Sequence, residues 1–182
     1  MPTIALARGL NALALYAIAG VLGAAFYFQL AGGDLPCPLC LLQRVAFTAL
    51  AVGPTLNIRY GPRPAHYGLL LLAAMVGAVL SARQILLHIA PGDPGYGPPL
   101  MGLHFYTWAF IAFCCTIAAI GLALQWEGQF TRKEPALQAI PLFVQAAVWA
   151  VIGLTALNVL STFLECGLAV CPENPVAYEL LR

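Results

Sequence analysis

Residues 9–44 read GLNALALYAIAGVLGAAFYFQLAGGDLPCPLCLLQR. Positions 9–33 hold no Lys, Arg, Asp or Glu, and that run exceeds the roughly 20 apolar residues a helix needs to cross a bilayer. Backbone groups in lipid have no water to bond, so the run must be helical. Gly32-Gly33-Asp34-Leu35-Pro36 then reads as a turn. The C-x-x-C that follows opens a second apolar stretch, so the first hairpin carries both the fold and its candidate chemistry.

The same pattern repeats outward. Residues 94–126 and 135–164 are also free of formal charge, and the 182-residue chain is 62% apolar and 8% charged, where soluble domains carry about a quarter charged residues. Disorder and nucleic-acid binding are excluded on composition. Five segments are long enough to span: 10–30, 41–58, 67–89, 104–125 and 140–164. The expected fold is all-α and polytopic transmembrane, a four-helix antiparallel bundle core plus a fifth transmembrane helix. Its parts would be the bundle over 1–126, a cytoplasmic loop over 127–139, and the fifth helix with an outer tail over 140–182. A cleaved signal peptide over 1–33 is the competing reading of the first segment, but its apolar run is longer than a signal core of 7 to 15 residues. Gly20 with Ala24, and Gly77 with Ser81, are small pairs four apart that would let helices approach closely.

Cytoplasmic loops are enriched in Lys and Arg. With five alternating spans, Arg8, Arg59, Arg63, Arg132 and Lys133 all fall on one side, and the other receives only Arg182 among clear loop positions. The N-terminus is therefore expected in the cytoplasm and the C-terminus outside, with Cys37/Cys40 and Cys166/Cys171 on the same outer face.

Cys37-Pro38-Leu39-Cys40 lies at the start of the second span. Unpaired N–H groups and the helix dipole favour a thiolate there, and Pro38 suits the first helical position. The alternatives are a zinc half-site, which lacks a second Cys/His cluster, or an inert small pair. Arg44 follows Cys40 by four residues, hence on the same helix face one turn deeper. Its charge would stabilise a thiolate and the negative charge developing on an acceptor, or would snorkel to the headgroups. Cys166 and Cys171 bracket Gly-Leu-Ala-Val beyond the fifth span, placed either to staple the tail or to form an exchangeable disulfide.

Cys114 and Cys115 are adjacent within the fourth span, point about 100° apart and are expected to pack as small apolar groups. His66 is expected in a cytoplasmic loop. His88 and His104 flank the outer loop near Arg83; either could bond the carbonyl of a bound acceptor or satisfy a backbone group at a helix end, with His88 the stronger candidate for the acceptor. Tyr27, Tyr96, Tyr106 and Trp108 read as an interfacial aromatic belt first, and as a ring-binding surface second.

The stretch Cys37-Pro38-Leu39-Cys40-Leu41-Leu42-Gln43-Arg44 resembles the DsbB family, disulfide bond formation protein B of bacterial inner membranes, over about residues 10–126. The resemblance implies a multi-pass inner-membrane enzyme that reoxidises a periplasmic DsbA-like thioredoxin-fold dithiol oxidase and reduces membrane quinone, ubiquinone or menaquinone. It makes Cys37 and Cys40 the quinone-side pair, with Cys40 at the ring and Arg44 as the cation of that site. The chain departs from the family where the second cysteine pair is expected: residues 90–103 contain no cysteine. Cys166 and Cys171 would replace that pair from a different segment. Electrons would then pass from a soluble dithiol to Cys166/Cys171, to Cys37/Cys40 and to quinone. The rivals are an outward-running reductase, a quinone reductase resembling the VKOR family, whose motif comes late in its bundle, and a non-enzymatic membrane metal binder using the outer Cys and His.

Overall fold

The computed structural model describes residues 4–130 and 139–181. Among the described residues six α-helices follow in order: α1 (Ile4–Ala31), α2 (Pro38–Leu50), α3 (Val52–Tyr60), α4 (Pro64–Leu87), α5 (Phe105–Leu124) and α6 (Leu142–Cys166). Short 3-10 turns cover Glu127–Gln129 and Glu179–Leu181. Helices α2 and α3 together make one span, Pro38–Tyr60, so five segments among the described residues are long and apolar enough to cross a membrane. Among the described residues the extended backbone amounts to one bridge, Leu100 to Leu103. Arg132, Lys133 and Arg182, which entered the charge count, lie outside the described residues.

The boundaries differ from expectation where local chemistry intervenes. The second span begins at Pro38, whose missing N–H costs nothing at the first helical position. It breaks near Ala51, whose N–H turns back to the Thr48 carbonyl at 3.1 Å. Pro54 has no amide to offer Leu50, four residues back, and this interrupts the ladder. Gly53 follows the break and brings α3 against α4, since a Cβ there would stand 2.8 Å from the His66 carbonyl oxygen. His66 is not in a loop but in the first turn of α4, buried, with Nδ1 2.8 Å from the Asn57 Oδ1. The last span continues two residues past expectation, through Cys166, before Gly167 reverses the chain at φ +61°.

Helix α4 packs on α5 and on α2, and α1 packs on α3 and α6. The pairings Tyr16 to the Phe143 carbonyl and Gln29 to Ser161 advance together along the chain, so α6 runs parallel to α1. Ala12, Leu15 and Leu22 bury α1 in the core. Phe47 of α2 stacks on Phe113 of α5 with ring centroids 4.3 Å apart. Gly77 is the close approach the small-residue pattern suggested: a Cβ there would enter the Phe113 ring, whereas Gly20 faces open space. Large apolar side chains such as Val79, Leu122 and Leu142 are mostly exposed, the surface expected of helices that face lipid. Cys114 and Cys115 belong to this outward surface and are not packed inside.

Helices α1 and α5 touch at their outer ends, where Phe28 and Phe105 meet with centroids 4.7 Å apart. Below that contact they stand apart and leave a slit along the bundle.

Candidate functional site

Cys37 caps α2: its Sγ accepts the Cys40 N–H at 3.2 Å, satisfying one of the donors a helix start leaves free. The two cysteines form a disulfide with Cα atoms 5.0 Å apart. Gln84 of α4, 1% exposed, lies over it, its Nε2 3.3 Å from Cys37 Sγ and 3.5 Å from Cys40 Sγ. The Gln84 Oε1 in turn accepts Gln43 Nε2 at 2.7 Å, which fixes the direction of the donated N–H. Charged sulfur gains most from such a donor.

Arg44 is buried one turn below Cys40. Its Nη1 donates to Gln29 Oε1 at 2.6 Å and its Nη2 to the Ala25 carbonyl at 3.1 Å, both on α1. Its guanidinium carbon lies 5.2 Å from the centre of the Phe26 ring. The side chain is thus held in place and does not snorkel.

Cys40 and Arg44 line one cavity of about 280 Å³, walled also by the rings of Phe28, Phe47, Tyr96, Phe105, Tyr106 and Trp108. A larger cavity of about 450 Å³ lies deeper, beside Asn57, His66 and Trp126. The two share Val21, Phe47 and Ala112 as walls, so they lie next to each other along the α1/α5 slit. The sulfurs are at the smaller cavity, and the chemistry belongs there. Three of the four supposed belt aromatics line it, while Tyr27 stays outside.

The outer loop roofs this cavity. Tyr96 donates its hydroxyl to the Leu35 carbonyl at 2.7 Å. Burial pushes the Tyr96 phenol up, and the nearby carboxylates of Glu165 and Asp34 add to the shift. His88 is not among the lining residues: its Nδ1 is 3.1 Å from Asp93 Oδ1 and its ring stacks on Tyr106, which does line the cavity. His104 stacks on the same tyrosine with centroids 5.2 Å apart. Asp93 accepts the Gly95 N–H at 2.7 Å, and this bond, with His88, holds its carboxyl below the usual range.

Cys166 and Cys171 form a second disulfide, Cα atoms 4.7 Å apart, at the same end of the bundle. Cys166 is 5% exposed, while Cys171 is more open and is flanked by the exposed Leu168 and Val170. Among the described residues, no three His, Cys, Asp or Glu side chains converge as a metal site would require. The amides Gln29, Gln43 and Gln84 and the carboxyl Glu165 escaped the sequence reading. Their signal was present, since each is a polar side chain inside or beside an otherwise apolar span.

Two disulfide-forming cysteine pairs at one end of a membrane bundle, one of them on a capped helix start, define a membrane-embedded disulfide oxidoreductase. A family profile, DsbB: Disulfide bond formation protein DsbB, matches residues 7–97. "Disulfide bond formation protein B" of Xanthomonas axonopodis pv. citri (strain 306) is 37% identical over 145 residues, 76% of this chain and 84% of the relative. The protein of that name from Chromobacterium violaceum is 38% identical over 141 residues, 73% of this chain and 84% of the relative. No solved structure matches the chain. The chain belongs to the DsbB family and is a multi-pass membrane protein of disulfide bond formation.

Proposed function

We propose that this oxidoreductase is a dithiol:quinone oxidoreductase of the bacterial inner membrane that reoxidises a periplasmic DsbA-like thioredoxin-fold protein. Electrons run from that partner to Cys166/Cys171, then to Cys37/Cys40, then to ubiquinone or menaquinone. The observation that carries the reading is the shared cavity of Cys40 and Arg44, walled by aromatic rings and adjoining a second apolar cavity along the α1/α5 slit. Those residues fit a planar, polar-edged ring with a long apolar tail. A quinone held there supplies, when bound, an acceptor for two electrons and two protons.

The remaining steps belong to the chain's own residues. A partner thiolate attacks Cys171, the accessible sulfur, and Cys166 leaves; a second partner thiol resolves the mixed disulfide, leaving the Cys166/Cys171 dithiol. Exchange with Cys37–Cys40 closes the outer disulfide again and opens the inner one. Cys40 then faces the cavity as a thiolate favoured by the helix start and the Gln84 amide. Arg44 presents a fixed cation where negative charge develops, with no reorganisation at that moment. His88 acts through Tyr106, which it stacks on. The N-terminus is cytoplasmic and the C-terminus periplasmic, as the charges of Arg8, Arg59 and Arg63 direct.

Thiol trapping in cells with and without respiratory quinone tests the reading. Cys37 and Cys40 should accumulate reduced when quinone is depleted; an inner pair that stays oxidised would remove quinone from the pathway. A reporter fused after residue 182 should read periplasmic, and a cytoplasmic signal would take Cys166 and Cys171 out of the route.

A further inference from the structure

Arg44 is held by more than the hairpin it belongs to. Gln29, 3% exposed, accepts from Arg44 and gives its own Nε2 to Ser161 Oγ at 2.7 Å and to the Tyr178 hydroxyl at 2.9 Å. Ser161 lies on α6 and Tyr178 on the tail beyond it. The last turn of α6 also carries Glu165, 0% exposed, whose two carboxylate oxygens have no hydrogen-bond partner among the described residues. Its charge interacts with that of Arg44. A buried cation without a counter-charge is costly, and a buried carboxyl without a donor is costly too. Here each answers the other's charge across the site, with no hydrogen bond between them.

Glu165 and Tyr178 flank the outer disulfide in sequence. Glu165 precedes Cys166 directly, and Tyr178 follows Cys171 by seven residues. The disulfide closes the reversal that begins at Gly167, and the turn Glu179–Leu181 then folds back on α6. None of these residues falls in the stretch matched by the family profile.

We propose that Glu165 and Tyr178 are positioning residues for Arg44, tethered by the Cys166–Cys171 disulfide: Glu165 gives the counter-charge, and Tyr178 fixes Gln29 and through it the guanidinium. The outer pair then does a second job besides thiol exchange. When it receives two electrons and two protons from the partner dithiol, its S–S bond becomes two thiols, the tail loosens, and the hold on Arg44 slackens until the pair closes again. The inference rests on the reading of the Arg44 cavity as the quinone site.

The test is equilibrium binding of decylubiquinone to the purified full chain in nanodiscs, by calorimetry, without turnover. Tyr178→Phe and Glu165→Gln should each weaken binding several-fold, Glu165→Asp should recover part of it, and the Cys166→Ser/Cys171→Ser double variant should bind as weakly as Tyr178→Phe. Thermal melting identifies any variant that fails to fold, and Tyr178→Phe, which removes one hydroxyl at a half-buried site, keeps the test decisive. Wild-type affinity in Tyr178→Phe and Glu165→Gln, with Arg44→Ala weakened, would overturn this inference and leave the quinone reading standing. Wild-type affinity in Arg44→Ala would instead overturn the quinone reading itself. Wild-type affinity in the double serine variant alone would remove the tether.

Discussion

Cys40 and Arg44 stand one turn apart on α2 and open onto the same cavity, yet different helices brace them: Gln84 of α4 lies on the Cys37–Cys40 sulfurs, and Gln29 of α1 holds the guanidinium. The sulfur and the cation can therefore be perturbed separately.

For the cation, Arg44→Ala removes a charged donor whose bonds are each of the order of 1.5–3 kcal/mol. The apparent quinone affinity should fall roughly ten- to a hundredfold, since about 1.4 kcal/mol is a factor of ten. Arg44→Lys should recover only part, because one ammonium cannot match a fork that reaches Gln29 and the Ala25 carbonyl together. The KM for quinone in a steady-state assay reads the difference.

For the sulfur, Gln84→Leu takes away the N–H aimed at the pair and leaves Gln43 without its acceptor. The thiolate fraction of the reduced pair should drop. Capture by iodoacetamide at neutral pH should slow by roughly tenfold, in keeping with one lost bond to a charged acceptor. An unchanged rate would confine Gln84 to packing.

The outer pair should discriminate between its two sulfurs. Cys166→Ser leaves Cys171 free to hold the partner, and a stable mixed disulfide should accumulate with a thioredoxin-fold protein that keeps only its attacking cysteine, activated as the mixed disulfide with thionitrobenzoate, which leaves as the free thiolate. Cys171→Ser leaves only the buried Cys166 and should trap far less. Non-reducing gels separate these outcomes, and equal trapping would contradict the order given to the two cysteines.

Packing between α4 and α5 depends on the missing side chain at Gly77. Gly77→Val drives two methyl groups into the Phe113 ring, which itself stacks on Phe47. Overpacking of this kind costs about 1–3 kcal/mol, and the thermal midpoint of the purified chain should drop accordingly.

Acid should loosen the roof of the cavity only at low pH. The Asp93 carboxyl is held below its ordinary range by the Gly95 N–H and then by His88, so its contribution is complete above the unfolded value, about 3.9, and is lost as pH falls through the lower folded value. The Gly95 amide shift should thus titrate below about pH 4, and Asp93→Asn should abolish that titration.

The five spans, the turns and the Cys40/Arg44 pairing were legible because each depends on neighbours in sequence: run length, Gly and Pro, and a spacing of four. The packing partners were not. In a soluble helix the apolar face marks the interior, but lipid is as apolar as the core, so nothing in 104–125 says that Phe113 turns inward and Cys114 outward. Gln29, Gln84 and Glu165 were legible as polar exceptions, yet the bonds of the two glutamines lie across 15 to 149 residues of chain. The break at Ala51 was hidden by hydropathy, which scores Gly53-Pro54 as tolerable and is blind to the lost carbonyl partner.

The separation of α1 from α5 below Phe28 and Phe105 has a consequence for supply. A molecule that reaches Arg44 through that slit arrives by lateral diffusion within a sheet, and what sets its occupancy is its mole fraction among lipids, not its molarity in the surrounding water. Diluting the protein with extra lipid at fixed aqueous volume should therefore starve the site, while diluting the whole suspension with buffer should leave it fed.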